Sequence, residues 1–346
     1  TTGSPEAGAL FGVEALNHRK HLVMVNVEAD VCIGPYLRRL ADKQGVVYTQ
    51  VDGDQPGCTM NLVNWARSLG FEIVAAGRGT LYYEDDFEGT PDTVAERFGF
   101  TEEMIERRHI NLHMFNSFRD GTKAQTEMVA LANAAGLVPD IRGMHEPSVN
   151  LEDIPRRFSL ESEGGILSQH GVVELANSVA EDGKTRLPDA LEMGVFAVIR
   201  SKHTFIAEDL KMYFLHEGGN GKNFLLQRPY HLVAVEAPIS IAQAALFGAA
   251  TGSTLPRPTA ELITVAKRDL SEGEWLDGSG GFTVNGLCER ADTAHQENLL
   301  PLAFARNVTL KSDICKGNPI TWDMVSGIEP TRLLELRREQ DALLWS

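Results

Sequence analysis

Over its first ninety residues the chain switches repeatedly between helical and strand-like spacing of apolar positions. Pro5 stands where a first-turn proline would, and Ala7, Leu10, Phe11 and Ala15 follow at helical spacing toward Asn17. Residues 21–26 form a short, nearly continuous apolar run, as expected of a strand covered on both faces. A helix over 36–44, a strand over 46–51, a helix over 59–69 and a strand over 72–77 come next. Strands alternating with helices at this pace predict parallel βαβ units, here the second half of a doubly wound α/β domain over residues 1–90.

From 91 to about 150 the pattern turns helical and polar, with FTEEMIERR as a helix start and 123–135 as a strongly periodic helix. Residues 154–230 mix short strands, GVFAVIRS and KMYFLH among them, with glycine turns. The segment APISIAQAALFG, 237–248, predicts an apolar helix that is buried or in a subunit contact. These features together predict a central α+β domain over 91–250. Past Thr251, Pro256 and Pro258 close a hinge-like segment, and a pattern then occurs twice: ITVAKRDLSEGEWLDGSGGFTVNG and NVTLKSDICKGNPITWDMV. Each copy has an apolar strand, a basic residue, an Asp-aliphatic pair, a glycine turn and another strand, which predicts a small β-rich domain within 251–346. An amphipathic helix carrying Leu333, Leu334, Leu336, Leu343 and Leu344 closes the chain.

Composition narrows the class. The 346 residues exceed what one core usually holds, so two or three domains are expected. With 48 acidic against 32 basic side chains the net charge is −16, which argues against nucleic acid and anionic membranes as partners. No apolar run has the length of a spanning helix, and four singly scattered cysteines fit reduced thiols in a cytoplasm. The opening residues, which lack a methionine, read as a strand end entering a turn, so a preceding phosphate-binding half is expected to lie outside this chain.

Two segments imitate phosphate loops. Gly77-Arg78-Gly79 has no third glycine and no following helix; in 218–223, His216 stands where the first glycine belongs and Asn223 replaces the magnesium-binding hydroxyl. Both read as turns. The densest chemical candidate is NSFRDGTKAQTE, 116–127, in which Asp120 and Gly121 supply a turn and Lys123 and Glu127 fall on one helix face. Lys123 beside a helix N-terminus suits an anion or developing alkoxide, while an exposed Lys–Glu pair fits the spacing equally well. Three βα loops are expected to open on one crevice: Thr2, Gly3, Ser4 and Pro5; Asn26 and Glu28; Asp52 and Asp54. The last two carboxylates are either magnesium ligands or solvated turn residues. His109 and His113 lack a third ligand, and Arg228 and His231 with Glu236 either grip an anion or form a salt bridge.

SPEAG, VNVEAD, GDQPG, NSFRDGTKAQTEM, RPYHL with APISIAQAALFG, and the C-terminal AKRDL/EGE/DI/G pattern together resemble the homoserine-dehydrogenase-like proteins that end in an SAF domain, in their deoxyxylulose phosphate reductoisomerase-like (DRL) branch. The resemblance covers essentially the whole chain. It implies an NAD(P)-dependent oxidoreductase, NADPH favoured, with a partial Rossmann domain, a catalytic and dimerisation domain and an SAF module, assembled as a cytoplasmic homodimer. Carried over by position, Asp120 and Lys123 are expected to be catalytic, with Glu127 beside them; the loops and spacing offer Asn116, Arg228 and His231 for a small anionic or polyol substrate, Thr2, Gly3, Ser4, Pro5, Asn26 and Glu28 for the cofactor, and Asp52 and Asp54 for Mg or Mn. The activity implied is reductive isomerisation of 1-deoxy-D-xylulose 5-phosphate to 2-C-methyl-D-erythritol 4-phosphate. Alternatives are a homoserine dehydrogenase-like or sugar-acid or polyol dehydrogenase, and a noncatalytic sugar-binding protein. Val27 stands where the homoserine enzymes carry a lysine after the asparagine, a departure that weighs against homoserine.

Overall fold

The structure, a computed structural model, describes residues 4–345. It opens with α1 (Pro5–Asn17), β1 (Leu22–Met24), α2 (Val27–Gln44), β2 (Tyr48–Gln50) and α3 (Gln55–Ser68), and β1 pairs in parallel with β2. Two of these helices begin earlier than apolar periodicity indicates, because their caps decide the start. The Asn26 side chain accepts from the Ala29 amide at 2.8 Å, so α2 starts at Val27 and runs through Pro35, with non-helical backbone at Ile33 marking the kink. Asp54 caps α3 and Pro56 occupies its first turn, so that helix starts at Gln55.

The next strand, β3 (Glu72–Thr80), leaves this parallel pair and enters another sheet, which corrects the expected strand order. After it come α4 (Pro91–Phe98), α5 (Glu102–Arg108), α6 (Leu112–Arg119), α7 (Thr122–Ala135), β4 (Val138–Pro139), α8 (Ile154–Arg157), β5 (Val172–Asn177), β6 (Val195–Arg200), α9 (Thr204–Met212), β7 (Asn223–Arg228) and α10 (Val233–Ala242), which continues as a π turn over Gln243–Phe247. The sheet runs β4-β5-β3-β6-β7, with β3 at its centre, parallel to β5 and antiparallel to β6. Gly77 is there for packing: a Cβ would lie 1.7 Å from the Glu174 carbonyl of β5. KMYFLH is no strand. Its first residues end α9, Tyr213 and Phe214 are exposed, and the edge strand is NFLLQR. The α10 segment is likewise not buried within the chain, for Val235, Leu246 and Phe247 are each more than 70% exposed.

The C-terminal part contains β8 (Ala260–Ala266), β9 (Trp275–Asp277), β10 (Val284–Arg290), α11 (Ala291–Gln296), β11 (Arg306–Leu310), β12 (Val325–Ser326) and α12 (Arg332–Leu344). Strand β10 pairs with β8, and β11 lies between β12 and β9, all antiparallel. The internal repeat is expressed as reciprocal bonding. Leu270 and Ile314 exchange backbone hydrogen bonds at 2.9 Å, Asp269 accepts from the Lys316 amide as Asp313 does from the Glu272 amide, both at 2.8 Å, and Gly273 and Gly317 donate to Leu310 and Ala266. Each copy of the Asp-aliphatic pair thus caps the other's turn.

Buried Arg337 fastens α12 to the rest, donating to Glu261 of β8 at 2.6 Å and to Asp341 at 2.9 Å. The Glu261 side chain is only 12% exposed, so removing the guanidinium leaves a largely desolvated carboxylate without its partner. Arg337→Met is expected to lower unfolding free energy by about 3 kcal/mol, read in urea titration. An unchanged midpoint would show that the pair contributes nothing.

Candidate functional site

Asp120 ends α6 and Gly121, at φ +84°, turns the chain so that α7 starts one residue later. One Asp120 oxygen accepts from the Thr122 amide at 3.1 Å, and the other receives the Lys267 ammonium at 2.7 Å. Asp120 is thus committed to Lys267 and not to Lys123. Lys123 instead donates to Glu28, in the first turn of α2, at 2.7 Å. Burial disfavours the charged ammonium, but Glu28, Glu127 and Asp54 outweigh it and raise Lys123 above its ordinary range. Glu28 resists burial in the same way and is lowered by Lys123. Asp54 at the head of α3 has no such partner; loss of solvent, then repulsion from Glu127, pushes it up to about 7. The α1 and α2 termini also meet here, with Asn26 Nδ2 donating to the Ser4 carbonyl at 2.9 Å and Pro5 opening α1. Thr2 and Gly3 lie outside the described residues.

Beneath Lys123, Glu127 is buried at 2% exposure and paired with buried Arg78 of β3, so the reading of Lys123 and Glu127 as an exposed pair is overturned. Arg78 also donates to Gln55 Oε1 at 2.9 Å, and the Gln55 amide nitrogen is buried with no partner among the described residues. Sequence reasoning passed over Arg78 as part of a false glycine loop. Its signal was an arginine inside an otherwise apolar strand, a position such a residue holds only when paired. Close by, Glu146 accepts from the Thr80 hydroxyl at 2.9 Å, and burial pushes its carboxyl up to about 7.

Other expected residues have structural partners. Asp52 accepts from Asn61 at 2.7 Å, Ser240 at 2.8 Å and Thr251 at 2.6 Å, which occupies both its oxygens. Among the described residues no group of three His, Cys, Asp or Glu side chains is placed to hold a metal ion, and Asp52 spends its oxygens on neighbouring side chains. Asn116 is fully buried and donates to the Gly89 and Gly280 carbonyls, clamping two loops. Arg228 pairs with Glu236 and lies over the Tyr230 ring at 4.7 Å, the salt-bridge alternative. His231 Nδ1 lies 3.0 Å from the Met193 carbonyl. His109 and His113 are both on the surface. The false phosphate loop at 218–223 is a turn in which Asn220 accepts from the Lys222 and Asn223 amides.

A cavity of about 250 Å³ adjoins the Lys123–Glu28 pair. Glu28, Val31 and Thr126 line it on one side, and Leu262, Leu302 and Arg306 of the C-terminal part on the other. Its lining mixes apolar residues with polar and charged ones, Asp277 and Arg306 among them, and its volume suits a small molecule.

Glu146 supplies a pH test. Its folded pKa of about 7 exceeds its ordinary 4.5, so the folded chain holds a proton that the unfolded chain releases in between. Its contribution is complete below about 4.5 and is lost as pH rises through 7. Glu146→Gln is expected to match the parent near pH 4.5 and to be more stable at pH 8 by on the order of 2 kcal/mol, in thermal melts across that range. A constant offset at every pH would refute the assignment.

The chain matches the family described as "Oxidoreductase DRL, catalytic domain" over residues 53–237. No curated protein matches it. The matched segment holds Asp54, Arg78, Asp120, Lys123, Glu127 and Glu146, the residues whose geometry singles out the crevice. The chain belongs to the DRL family of oxidoreductases and is an enzyme.

Proposed function

We propose that the enzyme reduces a small anionic or polyol substrate with a nicotinamide dinucleotide, NADPH favoured, and that its candidate reaction is the reductive isomerisation of 1-deoxy-D-xylulose 5-phosphate to 2-C-methyl-D-erythritol 4-phosphate. The observation that carries this reading is Lys123: an ammonium kept charged by three carboxylates, in the first turn of a helix, held by Glu28, which itself lines a cavity of about 250 Å³. Such a group stabilises the oxygen of a carbonyl as negative charge builds on it. The dinucleotide, when bound, supplies the hydride.

The chain's own residues account for the proton. Lys123 donates to the substrate oxygen, and Glu28 keeps the ammonium aimed across the crevice. Asp54, with a carboxyl that titrates near neutrality, holds or releases a proton beside it. Ser4, Asn26 and Glu28 sit at the α1 and α2 N-termini, a setting that suits a phosphate-bearing cofactor. A partial Rossmann domain, a C-terminal SAF module and a cytoplasmic location belong to the same reading. Phe205 on α9, Phe214 just after it, and Val235, Leu246 and Phe247 of the α10 segment are exposed, which supports a homodimer.

Two measurements test the proposal. NADPH and NADH are titrated against the protein and the reduced nicotinamide fluorescence followed, after which turnover is screened with deoxyxylulose 5-phosphate, homoserine and polyols. Lys123→Met is expected to lower turnover by about 10³-fold with cofactor affinity nearly unchanged, and Asp54→Asn to remove an inflection near pH 7. Absence of binding by either cofactor sinks the oxidoreductase mechanism in favour of noncatalytic sugar binding. For assembly, light scattering is expected to give a dimer mass for the parent and a monomer mass for Val235→Asp/Phe247→Asp; a monomeric parent refutes the dimer.

A further inference from the structure

Lys267 and Lys311 occupy equivalent places in the two copies of the C-terminal repeat, each directly after a strand and two residues before the Asp of the Asp-aliphatic pair. Their surroundings differ completely. Lys311 is exposed and donates to the Asp323 carbonyl at 3.0 Å. Lys267 is 5% exposed and spends all three ammonium hydrogens inside the protein, on Asp120 at 2.7 Å, the Gly89 carbonyl at 2.8 Å and the Gly281 carbonyl at 2.9 Å. The repeat does not itself require a buried lysine, as Lys311 shows. Burying an ammonium is unfavourable unless every hydrogen is matched, so the departure from symmetry serves the place where the charge is delivered.

That place is the turn before α7. Asp120 links Lys267 to the Thr122 amide, and Lys123 is the next residue. Strand β10 reinforces the contact: the Gly286 amide donates to Thr122 Oγ1 at 3.2 Å and the Cys288 amide to Gln125 Oε1 at 2.8 Å. We propose that Lys267 is a positioning residue for the reaction, fixing the first turn of α7 through Asp120 so that Lys123 faces Glu28 at the edge of the cavity. The C-terminal repeat is thereby part of the catalytic apparatus. This rests on the reading of Lys123 as the group that meets the substrate oxygen.

The test compares Lys267→Met, Lys267→Arg and Lys311→Met in the full chain. Lys267→Met is expected to lower kcat by about 100-fold, the scale of a misplaced catalytic group, with KM and NADPH affinity nearly unchanged. Amide hydrogen exchange of residues 122–125 should quicken by about tenfold while β8, β10 and α12 keep their protection. Lys311→Met should alter neither quantity. Should Lys267→Met not fold, Lys267→Arg carries the test: it keeps the charge, but a planar fork cannot reproduce three divergent donors, so kcat falls by about tenfold at an unchanged melting temperature. Unchanged kcat in the folded variants, or exchange quickened equally throughout the C-terminal part, overturns the proposal. If the parent turns over none of the screened substrates, the exchange comparison still decides whether Lys267 holds the α7 turn, so this inference and the assigned activity fail separately.

Discussion

The buried Arg78–Glu127 ion pair is the constraint on which the crevice depends. It joins the central strand β3 to α7, and through Gln55 it reaches the head of α3. A buried pair adds little net stability against an apolar replacement, yet removing one partner is strongly unfavourable, about 3–5 kcal/mol. Its effect is therefore one of placement. With Glu127 committed to Arg78, it is Glu28 that accepts the Lys123 ammonium.

Three helices begin around that ammonium, and each brings a carboxylate on or beside its first turn: Glu28 on α2, Asp54 capping α3, and Asp120 before α7. Helix N-termini favour negative charge, so the acidic excess of the chain is tolerated here at modest cost. The fate of each carboxylate follows from its nearest cation. Glu28 has Lys123 and is lowered, whereas Asp54 has no ion-pair partner among the described residues and rises to about 7. Two carboxylates of one crevice are thus driven apart, the condition under which one stays charged while the other exchanges a proton.

Much of this was legible in the sequence where local rules decide. The periodicity of α7, the turn at Asp120-Gly121 and the terminal amphipathic helix follow from spacing and turn chemistry, and the C-terminal repeat emerges as a set of reciprocal bonds. Where tertiary pairing decides, the pattern was silent or misleading. Strand β3 follows two parallel units, but its partners come from β5 and β6, about a hundred residues on. Spacing put Lys123 and Glu127 on one face without revealing that one meets Glu28 and the other Arg78. The run KMYFLH has strand-like composition and stays on the surface, since the helix before it ends there.

The limits of the matched family segment sharpen the role of the flanking regions. Residues 53–237 include Lys123 and Asp120 but neither of their charge partners. Glu28 precedes the segment and Lys267 follows it, and each forms the 2.7 Å contact that its partner needs. Without Lys267, Asp120 would be a nearly fully buried carboxylate facing no cation, and without Glu28, Lys123 would lose the acceptor that aims it. A buried charge without a partner neutralises or drags its surroundings toward water. Either outcome would displace the α7 turn, so the arrangement at Lys123 is a property of the chain from α2 to β10 and not of the catalytic segment alone.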